Sequence, residues 1–399
     1  MSKHYKVVII GGGTAGITVA ARLAPRIGGE KIALIEPSKK HYYQPMWTLV
    51  GAGVATAEST EKDESTLIPQ GVNWIQDYAD ALKSEENAVV LRGGDTVTYD
   101  ALVVAPGLKI EWDAIEGLTD ALQNDPRVAT NYSFQYAPKT WKAMHAFKGG
   151  TALFTHPATP IKCGGAPQKI MYLFEDYVRG HGLRDKTKVC AYFQGAGIFG
   201  VAAFGDVLTP MLKERGIEFH GRYDLIKVDR EKSEATFRHL DDGHEETVHY
   251  DFLHATPKMG PPDFVKNSAF ATTEVPTGWM KVDPFTLQSP DFKNVFGIGD
   301  VAQLPTAKTG AGVRKQAPVV VENLLAVLDG REPTKKYNGY TSCPLVTRYG
   351  RVMMAEFGYD DKLMPSFPLD PRKERWSMWL IKKFMLPILY WKFMLRGKA

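Results

Sequence analysis

Two of the three cysteines in this 399-residue chain lie in contexts that favour redox chemistry. Cys163 follows a lysine and precedes two glycines, in a stretch rich in proline and glycine. A neighbouring cation and the start of a helix near Pro167 both lower the pKa of a thiol, so we expect a reactive thiolate here. Cys343 precedes Pro344 and is predicted to lie in a second loop. These two cysteines are the first candidates for a catalytic set.

Cys190, the third cysteine, has different surroundings. It belongs to the apolar stretch Val189–Tyr192, which is typical of a strand that packs in a core. Three widely spaced cysteines are too few for a disulfide scaffold or for zinc ligation by paired CxxC units, so no metal site is expected. Cys163 and Cys343 are far apart along the chain, and only the fold can bring them together.

A glycine-rich turn follows the first apolar run of the chain. The segment Gly11–Gly16 matches the G-x-G-x-x-G pattern directly after a predicted strand, Lys6–Ile10, and Glu36 closes the next strand about 20 residues on. Glycines in this pattern allow a tight turn, close approach of a pyrophosphate, and close packing of helix on strand. The turn therefore predicts a dinucleotide site. Its candidate cofactor contacts are Gly11, Gly13, Thr14, Ala15, Gly16 and Glu36.

Strands and helices alternate along the chain, which predicts an α/β fold with parallel sheets covered on both faces. We expect two Rossmann-like dinucleotide-binding domains and a C-terminal amphipathic membrane-binding segment. The first domain takes residues 1–113 and 283–340, the second takes 114–282, and the C-terminal segment takes 341–399. The predicted elements are strands at Lys6–Ile10, Lys31–Ile35, Ala88–Leu91, Ala101–Val104, Thr151–Thr155, Lys188–Phe193 and Asn294–Ile298, and helices at Pro167–Arg179 and Val313–Leu328.

The second domain does not open with the expected phosphate-binding loop. After its first predicted strand, Thr151–Thr155, the chain continues into the proline-rich stretch that carries Cys163. A second G-x-G-x-x-G, Gly195–Gly200, follows the second strand of this domain instead, and no acid-tipped strand comes at the usual distance. We therefore expect a degenerate NAD site, with a cysteine where the phosphates would lie.

Two further segments resemble the later fingerprints of the FAD-dependent pyridine nucleotide-disulfide reductase superfamily. They are Tyr99–Gly107, a strand that leads into a glycine turn, and Asn294–Asp300. The resemblance implies FAD as the cofactor, with Asp300 hydrogen-bonded to its ribityl chain. It also implies a helix that begins near Thr309 and points its N-terminus at the flavin, where the dipole stabilises the reduced anion. Further cofactor contacts expected from this resemblance are Ala79, Ala105 and Gly107.

The cysteine contexts resemble those of the sulfide:quinone oxidoreductases, most closely the two-cysteine branch that includes the mitochondrial enzyme. The similar segments are Pro160–Lys169, Leu253–Pro257 and Tyr340–Thr347, with Lys373–Arg375 and Leu389–Trp391 near the end of the chain. The resemblance implies a disulfide or trisulfide between Cys163 and Cys343. Sulfide attacks it and leaves a persulfide, the other thiolate passes electrons to FAD by a transient flavin adduct, and a quinone takes two electrons on the opposite face. Lys315 matches a family lysine near the flavin and completes the catalytic set.

The quinone needs an apolar slot lined by aromatic residues, and Tyr340 and Phe357 are the candidates.

The stretch Trp376–Leu395 is dense in aromatic and aliphatic residues, with lysines and Pro387 set among them. The charges and a break at Pro387 favour short helices in the membrane interface over a membrane span. The lysines expected to reach the headgroups are Lys382, Lys383 and Lys392. A dimer interface or a C-terminal core helix is the alternative.

Composition and charge reduce the number of possible protein classes. A formal net charge of +4 without a basic stripe gives no support for nucleic-acid binding. The chain enters a strand almost at once, so we expect no cleavable signal and a peripheral membrane protein. The alternatives are an NADH:quinone oxidoreductase, the flavin subunit of a flavocytochrome-type sulfide dehydrogenase, and a flavin-binding partner protein without turnover. The sequence leaves open the small-molecule sulfur acceptor, the quinone type, the membrane face and whether the chain forms a homodimer.

Overall fold

The structure is a computed structural model, and it describes residues 3–399. Its largest element is a seven-stranded sheet, the first sheet. Strand Lys3–Ile10 pairs in parallel with Ile32–Ile35 on one side and with Thr96–Val104 on the other. These strands are apolar because the parallel part of the sheet is buried on both faces. In spatial order the strands are Asn73–Ile75, Ile32–Ile35, Lys3–Ile10, Thr96–Val104, Ala88–Leu91 and Ala79–Lys83, with Val295–Gly297 also paired to Thr96–Val104.

Two long helices pack against the first sheet and against each other. Thr14–Ile27 follows the first strand, and Gly310–Leu328 comes after the chain has returned to the sheet at Val295–Gly297. The predicted α/β architecture is confirmed, and the predicted strands and helices have ends that differ from the expected ones by a few residues. The first sheet is not parallel throughout as predicted, because Ala88–Leu91 pairs antiparallel with both Thr96–Val104 and Ala79–Lys83. The exact domain boundaries stay a prediction.

The second sheet has five strands, all parallel. In spatial order they are Val128–Ala129, Phe252–His254, Gly150–His156, Thr187–Phe193 and Ile217–Gly221. Residues 157–165, the cysteine loop, join Gly150–His156 to the helix Ala166–Gly180. The second glycine motif, Gly195–Gly200, comes after the next strand, Thr187–Phe193, as the sequence predicted.

Smaller elements complete the fold. A three-stranded antiparallel sheet consists of Tyr223–Asp229, Glu234–His239 and Glu245–His249. The two-stranded pairs are Lys40–Tyr42 with Glu61–Asp63, Lys109–Glu111 with Lys258–Gly260, and Thr341–Arg348 with Arg351–Phe357. The shorter α-helices are Trp47–Gly51, Leu118–Asn124, Ala137–Ala146, Ala202–Glu214 and Asp263–Lys266.

Cys343 lies in a strand, so the predicted loop at this position is wrong. It belongs to Thr341–Arg348, where it is paired with Ala355 of the neighbouring strand. Pro344 does not end the strand, because a two-stranded ribbon leaves an open edge to which a residue without an N–H group can turn.

Residues 376–396, the last part of the predicted 341–399 region and hereafter called the C-terminal segment, form a continuous run of helical turns. They are Trp376–Leu380, Ile381–Met385, Leu386–Ile388, Leu389–Phe393 and Met394–Arg396, of which the second and fourth are π turns. The predicted break at Pro387 is wrong: Leu386 (φ −63°, ψ −39°) and Ile388 (φ −64°, ψ −47°) keep helical dihedrals. The wider π turns accommodate the ring and the missing N–H group. Within residues 3–399, no helix has the length and apolar composition needed to cross a membrane.

Candidate active site

A cavity of about 470 Å³ lies where the two sheets and the C-terminal segment meet. Its walls come from the first glycine turn, the cysteine loop, the start of helix Gly310–Leu328 and the C-terminal segment. Of the predicted cofactor contacts, the cavity brings together Gly13, Thr14, Ala15, Ala105, Gly107 and Asp300.

The glycines of the first turn lack a side chain for different structural reasons. Gly11 has a φ of +98°, and a Cβ there would lie 2.4 Å from the carbonyl oxygen of Ala105. A Cβ on Gly16 would lie 1.8 Å from the carbonyl oxygen of Gly11, so the helix could not pack this closely on the strand. Gly13 lines the cavity, and a Cβ there would meet nothing within 4 Å. Open space at the N-terminus of helix Thr14–Ile27 fits a pyrophosphate group.

Glu36 and Ala79 lie outside the lining of the cavity. Glu36 accepts hydrogen bonds from the backbone N–H groups of Gly12 and Ser38, each at 2.7 Å. Burial raises the pKa of Glu36, and these two N–H groups oppose the shift. Ala79 is buried at the start of its strand. The roles of Glu36 and Ala79 at a cofactor stay predictions.

Asp300 lines the cavity together with Lys162 and Lys308. Burial raises the pKa of Asp300, and the two lysines oppose that shift. Burial also lowers the pKa of each lysine to about 8, with Asp300 acting in the opposite direction. Lys308 Nζ donates to the backbone oxygen of Asp300 at 2.6 Å. The backbone of Asp300 is thus held in the wall, where its carboxyl group can accept hydrogen bonds from ligand hydroxyls.

Helix Gly310–Leu328 begins at the cavity, which confirms the predicted start near Thr309. Thr309 Oγ1 accepts a hydrogen bond from the N–H of Gly312 at 3.0 Å and so caps the helix. Thr309 and the first helical residues line the cavity. The positive end of the helix dipole therefore faces a bound group, where it stabilises negative charge.

The structure separates three further candidates. Lys315 is exposed and does not line the cavity; its Nζ lies 5.8 Å from the ring centroid of Tyr340. Arg314 lines the cavity instead, because successive helix residues point in directions about 100° apart. Of the two quinone candidates, Tyr340 lines the cavity, whereas Phe357 packs edge-to-face on Phe199 outside the lining.

The fold brings Cys163 and Cys343 together. Their Sγ atoms lie 3.9 Å apart, and both cysteines are free thiols. Cys163 has a φ of +53°, which is uncommon for a residue with a side chain, and its N–H donates to the backbone oxygen of Lys308 at 2.8 Å. Gly165 makes room for the pair, since a Cβ there would lie 2.5 Å from Cys343 Sγ. To form a disulfide the two sulfurs would have to approach from 3.9 Å to the bonding distance of about 2.05 Å.

Lys169, in the first turn of helix Ala166–Gly180, is the buried cation of this pair. Its Nζ donates to Cys163 Sγ at 3.2 Å. The hydrogen bond from Cys343 lowers the pKa of Cys163 well below its usual value, burial opposes this, and Lys169 and Lys382 add to the lowering. The same hydrogen bond and burial raise the pKa of Cys343. Burial alone would lower the pKa of Lys169, but the two sulfurs raise it overall. The negative charge of the reduced pair therefore resides on Cys163.

Lys382 is a second cation of the site, and its predicted contact with headgroups is wrong. Its side chain is buried and lines the cavity, and Nζ donates to the backbone oxygen of Pro45 at 3.2 Å. The reason is its helical position: Lys382 lies one turn after the buried Met378, on the face that packs against the protein. Burial and repulsion from Lys169 lower the pKa of Lys382 to about 7.

The sequence contains one signal that could have identified Lys169. A lysine directly before the apolar run Ile170–Phe174 of a helix is out of keeping with a buried helix unless it has a partner. Cys190, in contrast, is buried in strand Thr187–Phe193 as predicted, and burial raises its pKa to about 11.

The two sheets and the cavity between them define the class. The family model of the pyridine nucleotide-disulphide oxidoreductases matches residues 5–141. The crystal structure of the sulfide:quinone oxidoreductase from Aquifex aeolicus shares the fold, with a TM-score of 0.79, 20% sequence identity, and coverage of 100% of this chain and 92% of that chain.

Two curated relatives narrow the class to a family. The mitochondrial sulfide:quinone oxidoreductase of Mus musculus is 44% identical over 395 residues, which cover 99% of this chain and 87% of that protein. The mitochondrial sulfide:quinone oxidoreductase of Dictyostelium discoideum is 42% identical over 395 residues, which cover 98% of this chain and 86% of that protein. The chain belongs to the sulfide:quinone oxidoreductase family.

Proposed function

We propose that this chain oxidises sulfide and passes two electrons to a quinone, with FAD as cofactor and Cys163 and Cys343 as the redox pair. The observation that carries this proposal is the pair of sulfurs 3.9 Å apart, beside the buried Lys169, in the wall of the cavity that the glycine turn also lines. The relatives are named for the same reaction. NADH is disfavoured as the electron donor, because the cysteine loop occupies the position of a second phosphate-binding loop.

The residues of the cavity fit FAD. The open space beside Gly13 suits the pyrophosphate, two helix N-termini supply partial positive charge, and Asp300 offers an acceptor for hydroxyl groups. Bound FAD would supply the two-electron chemistry that connects the sulfur pair with a quinone.

Sulfide reacts with the oxidised pair, in which Cys163 and Cys343 share a disulfide bond. HS⁻ adds to Cys343 Sγ, the S–S bond breaks, and Cys163 leaves with the electron pair as a thiolate. Cys163 is the leaving group because its pKa is the lower of the two, and the thiol of lower pKa leaves faster. Lys169 stabilises the charge of the leaving thiolate through its hydrogen bond of 3.2 Å.

The pair is then restored in two steps. A nucleophilic acceptor, which is a second HS⁻ when no other nucleophile is present, takes the outer sulfur of the Cys343 persulfide and leaves two cysteine thiolates. Their oxidation back to the disulfide gives up two electrons, which bound FAD would take up and pass to the quinone. The oxidised sulfur atom leaves with the acceptor.

The test is mass spectrometry after the oxidised protein has reacted with one equivalent of sulfide, without oxygen and without an acceptor. We expect added sulfur on Cys343 and none on Cys190. Added sulfur on Cys163 alone would overturn the assignment of the leaving group. Reduction of the flavin by sulfide with no sulfur on either residue would overturn the role of the pair.

We further propose that the C-terminal segment lies on a membrane surface. Five of its large apolar side chains are exposed, and the exposed fractions are 57% for Trp376, 53% for Phe384, 58% for Met385, 51% for Ile388 and 45% for Phe393. The same segment lines the cavity through Met385, Leu386 and Leu389. An apolar quinone would therefore reach the cavity along a surface that is itself apolar.

A double substitution, Phe384→Ser with Ile388→Ser, tests the membrane proposal. Each side chain contributes on the order of 2 kcal/mol when it leaves water, so we expect the variant to lose co-sedimentation with liposomes while sulfide still reduces its flavin. Phe285→Ser is the matched control, because Phe285 is 46% exposed but lies outside the segment. Unchanged sedimentation of the double variant, or a change from dimer to monomer in solution, would assign the surface to packing between chains.

A further inference from the structure

A buried carboxyl group, Glu356, lies in the cavity wall on the opposite side of the ribbon from Cys343. The ribbon pairs Ser342 with Glu356 and Cys343 with Ala355. Successive residues of a strand point to opposite faces, so Glu356 and Cys343 lie on different faces of the same ribbon. Ser342 and Glu356 line the cavity.

All the hydrogen-bond partners of Glu356 are neutral groups. The side chain is 4% exposed. Its Oε1 accepts from the hydroxyl of Tyr340 and from Ser366 Oγ at 2.6 Å, and its Oε2 accepts from the N–H of Ser366 at 2.8 Å. Tyr340 is buried and lines the cavity, whereas Ser366 is an exposed residue. The three residues form a chain of exchangeable protons from the cavity to the solvent.

Most of the other lining residues next to Glu356 are unsuited to exchange protons. Pro344, Met354, Phe367 and Leu386 offer no side-chain proton donor, and the hydroxyl of Ser342 donates to Met354 Sδ at 3.8 Å. A quinone that takes two electrons needs two protons to become a quinol. In an apolar cavity, where water is scarce, a side chain must supply the protons that water cannot supply.

We propose that Glu356 donates one of these two protons to the quinone. This inference rests on the proposed function. One proton accompanies the electron pair from the reduced cofactor. For the other, the carboxyl O–H bond of Glu356 breaks, directly or through the hydroxyl of Tyr340, as a new O–H bond forms on the quinone oxygen. The carboxylate regains its proton from solvent through Ser366. Sulfur chemistry and proton delivery thus belong to opposite faces of one ribbon.

The variant Glu356→Gln keeps the size of the side chain and removes its exchangeable acid. In rapid mixing we expect sulfide to reduce its flavin at the native rate. Reoxidation by a short-chain ubiquinone analogue should slow by about 100-fold or more, the size of a general-acid contribution. Reoxidation by ferricyanide, which takes electrons without protons, should stay native. Glu356→Asp should recover part of the quinone rate, and Tyr340→Phe should fall between Glu356→Gln and native.

An infrared readout reports on the proton itself. In the native protein, quinone reduction should change the carbonyl-stretch band of a carboxylic acid, and Glu356→Gln should lack that change. Quinone reoxidation of Glu356→Gln at the native rate, or equal slowing with ferricyanide, would overturn the inference. If sulfide fails to reduce the native flavin, the proposed function fails, and the same quinone and ferricyanide steps after reduction by dithionite still decide the role of Glu356.

Discussion

Two loops of this protein occupy equivalent positions, each between a strand and the following helix, but they offer different chemical groups to a ligand. Gly11–Gly16 joins the strand Lys3–Ile10 to a helix, and residues 157–165 join the strand Gly150–His156 to a helix. Both loops line the same cavity. The first offers bare backbone at the N-terminus of a helix, and the second offers the side chain of Cys163. The topology of the sheets therefore determines where a ligand meets the protein, and the loop residues determine what is done there.

The space beside one glycine in each loop shows the difference between the two loops. A Cβ on Gly13 would meet nothing within 4 Å, so the space beside it is left for a ligand. A Cβ on Gly165 would lie 2.5 Å from Cys343 Sγ, so the space beside it is taken by the redox pair. Glycine therefore leaves space for a ligand in one loop and for a sulfur atom in the other.

Removal of either sulfur should have the largest effect. We expect Cys163→Ser and Cys343→Ser each to abolish sulfide-dependent quinone reduction, because the disulfide can no longer form, while FAD stays bound. Cys190→Ser should keep most of the activity, since Cys190 packs within a strand. Flavin absorbance and steady-state quinone reduction measure the two properties on one sample. Turnover in either of the first two variants would remove that cysteine from the mechanism.

Gly13→Val should have the opposite effect to the cysteine variants, because it should remove the FAD and leave the two cysteines in place. Its side chain would fill the space for the pyrophosphate, so we expect the purified protein to lack FAD. The fold should remain, because nothing lies within 4 Å of the added Cβ. The control is Gly197→Val in the second glycine motif, where a Cβ also meets nothing within 4 Å. Flavin content and circular dichroism check both variants. Loss of FAD from Gly197→Val and not from Gly13→Val would reverse the roles of the two motifs.

Lys169→Met should weaken the sulfur chemistry without abolishing it. A hydrogen bond to a charged group contributes about 1.5–3 kcal/mol, so flavin reduction by sulfide should slow roughly 10- to 100-fold. The pKa of Cys163 should rise, because the variant lacks the cation that lowers it. Alkylation rates of the reduced protein across pH measure that shift. Lys188→Met, on the surface of the second sheet, is the control. An unchanged pKa of Cys163 would contradict the assigned role.

Lys382→Met should have the smallest effect, and one that depends on pH. The pKa of Lys382 is lowered to about 7, so the side chain is a cation below that pH and neutral above it. Only the cation stabilises the thiolate of Cys163. The variant should therefore slow flavin reduction a few-fold at about pH 6 and hardly at all at about pH 8.5. Lys383→Met, at the next position, should show no such dependence. An equal effect at both pH values would contradict the electrostatic role.

Local patterns explain what the sequence predicted well. Apolar strand runs, the glycine turn before Thr14 and the loop around Cys163 depend on neighbouring residues, so the main strands of both sheets and the helix starts could be foreseen. Short strands such as Asn73–Ile75 and Val128–Ala129 were not predicted, because so few residues give no clear pattern. The buried position of Lys382 and the strand around Cys343 could not be foreseen, because both depend on distant parts of the chain. Lys382 belongs to the C-terminal segment and yet lines the cavity beside the cysteine loop. Cys343 is held in a strand by pairing with Ala355, which comes later in the sequence. Lys315 lies outside the lining of the cavity, because the phase of the helix brings its neighbour Arg314 to the cavity instead, and its role near a flavin stays a prediction.

The most direct test of the account is an anaerobic titration of the purified protein with sulfide and, separately, with NADH, followed by flavin absorbance. We expect sulfide to bleach the flavin band rapidly and NADH to leave it unchanged. The reason is that the second loop carries Cys163 where a nicotinamide nucleotide would need phosphate-binding backbone. Bleaching by NADH as fast as or faster than by sulfide would contradict the central claim and return Gly195–Gly200 to consideration as a nucleotide site.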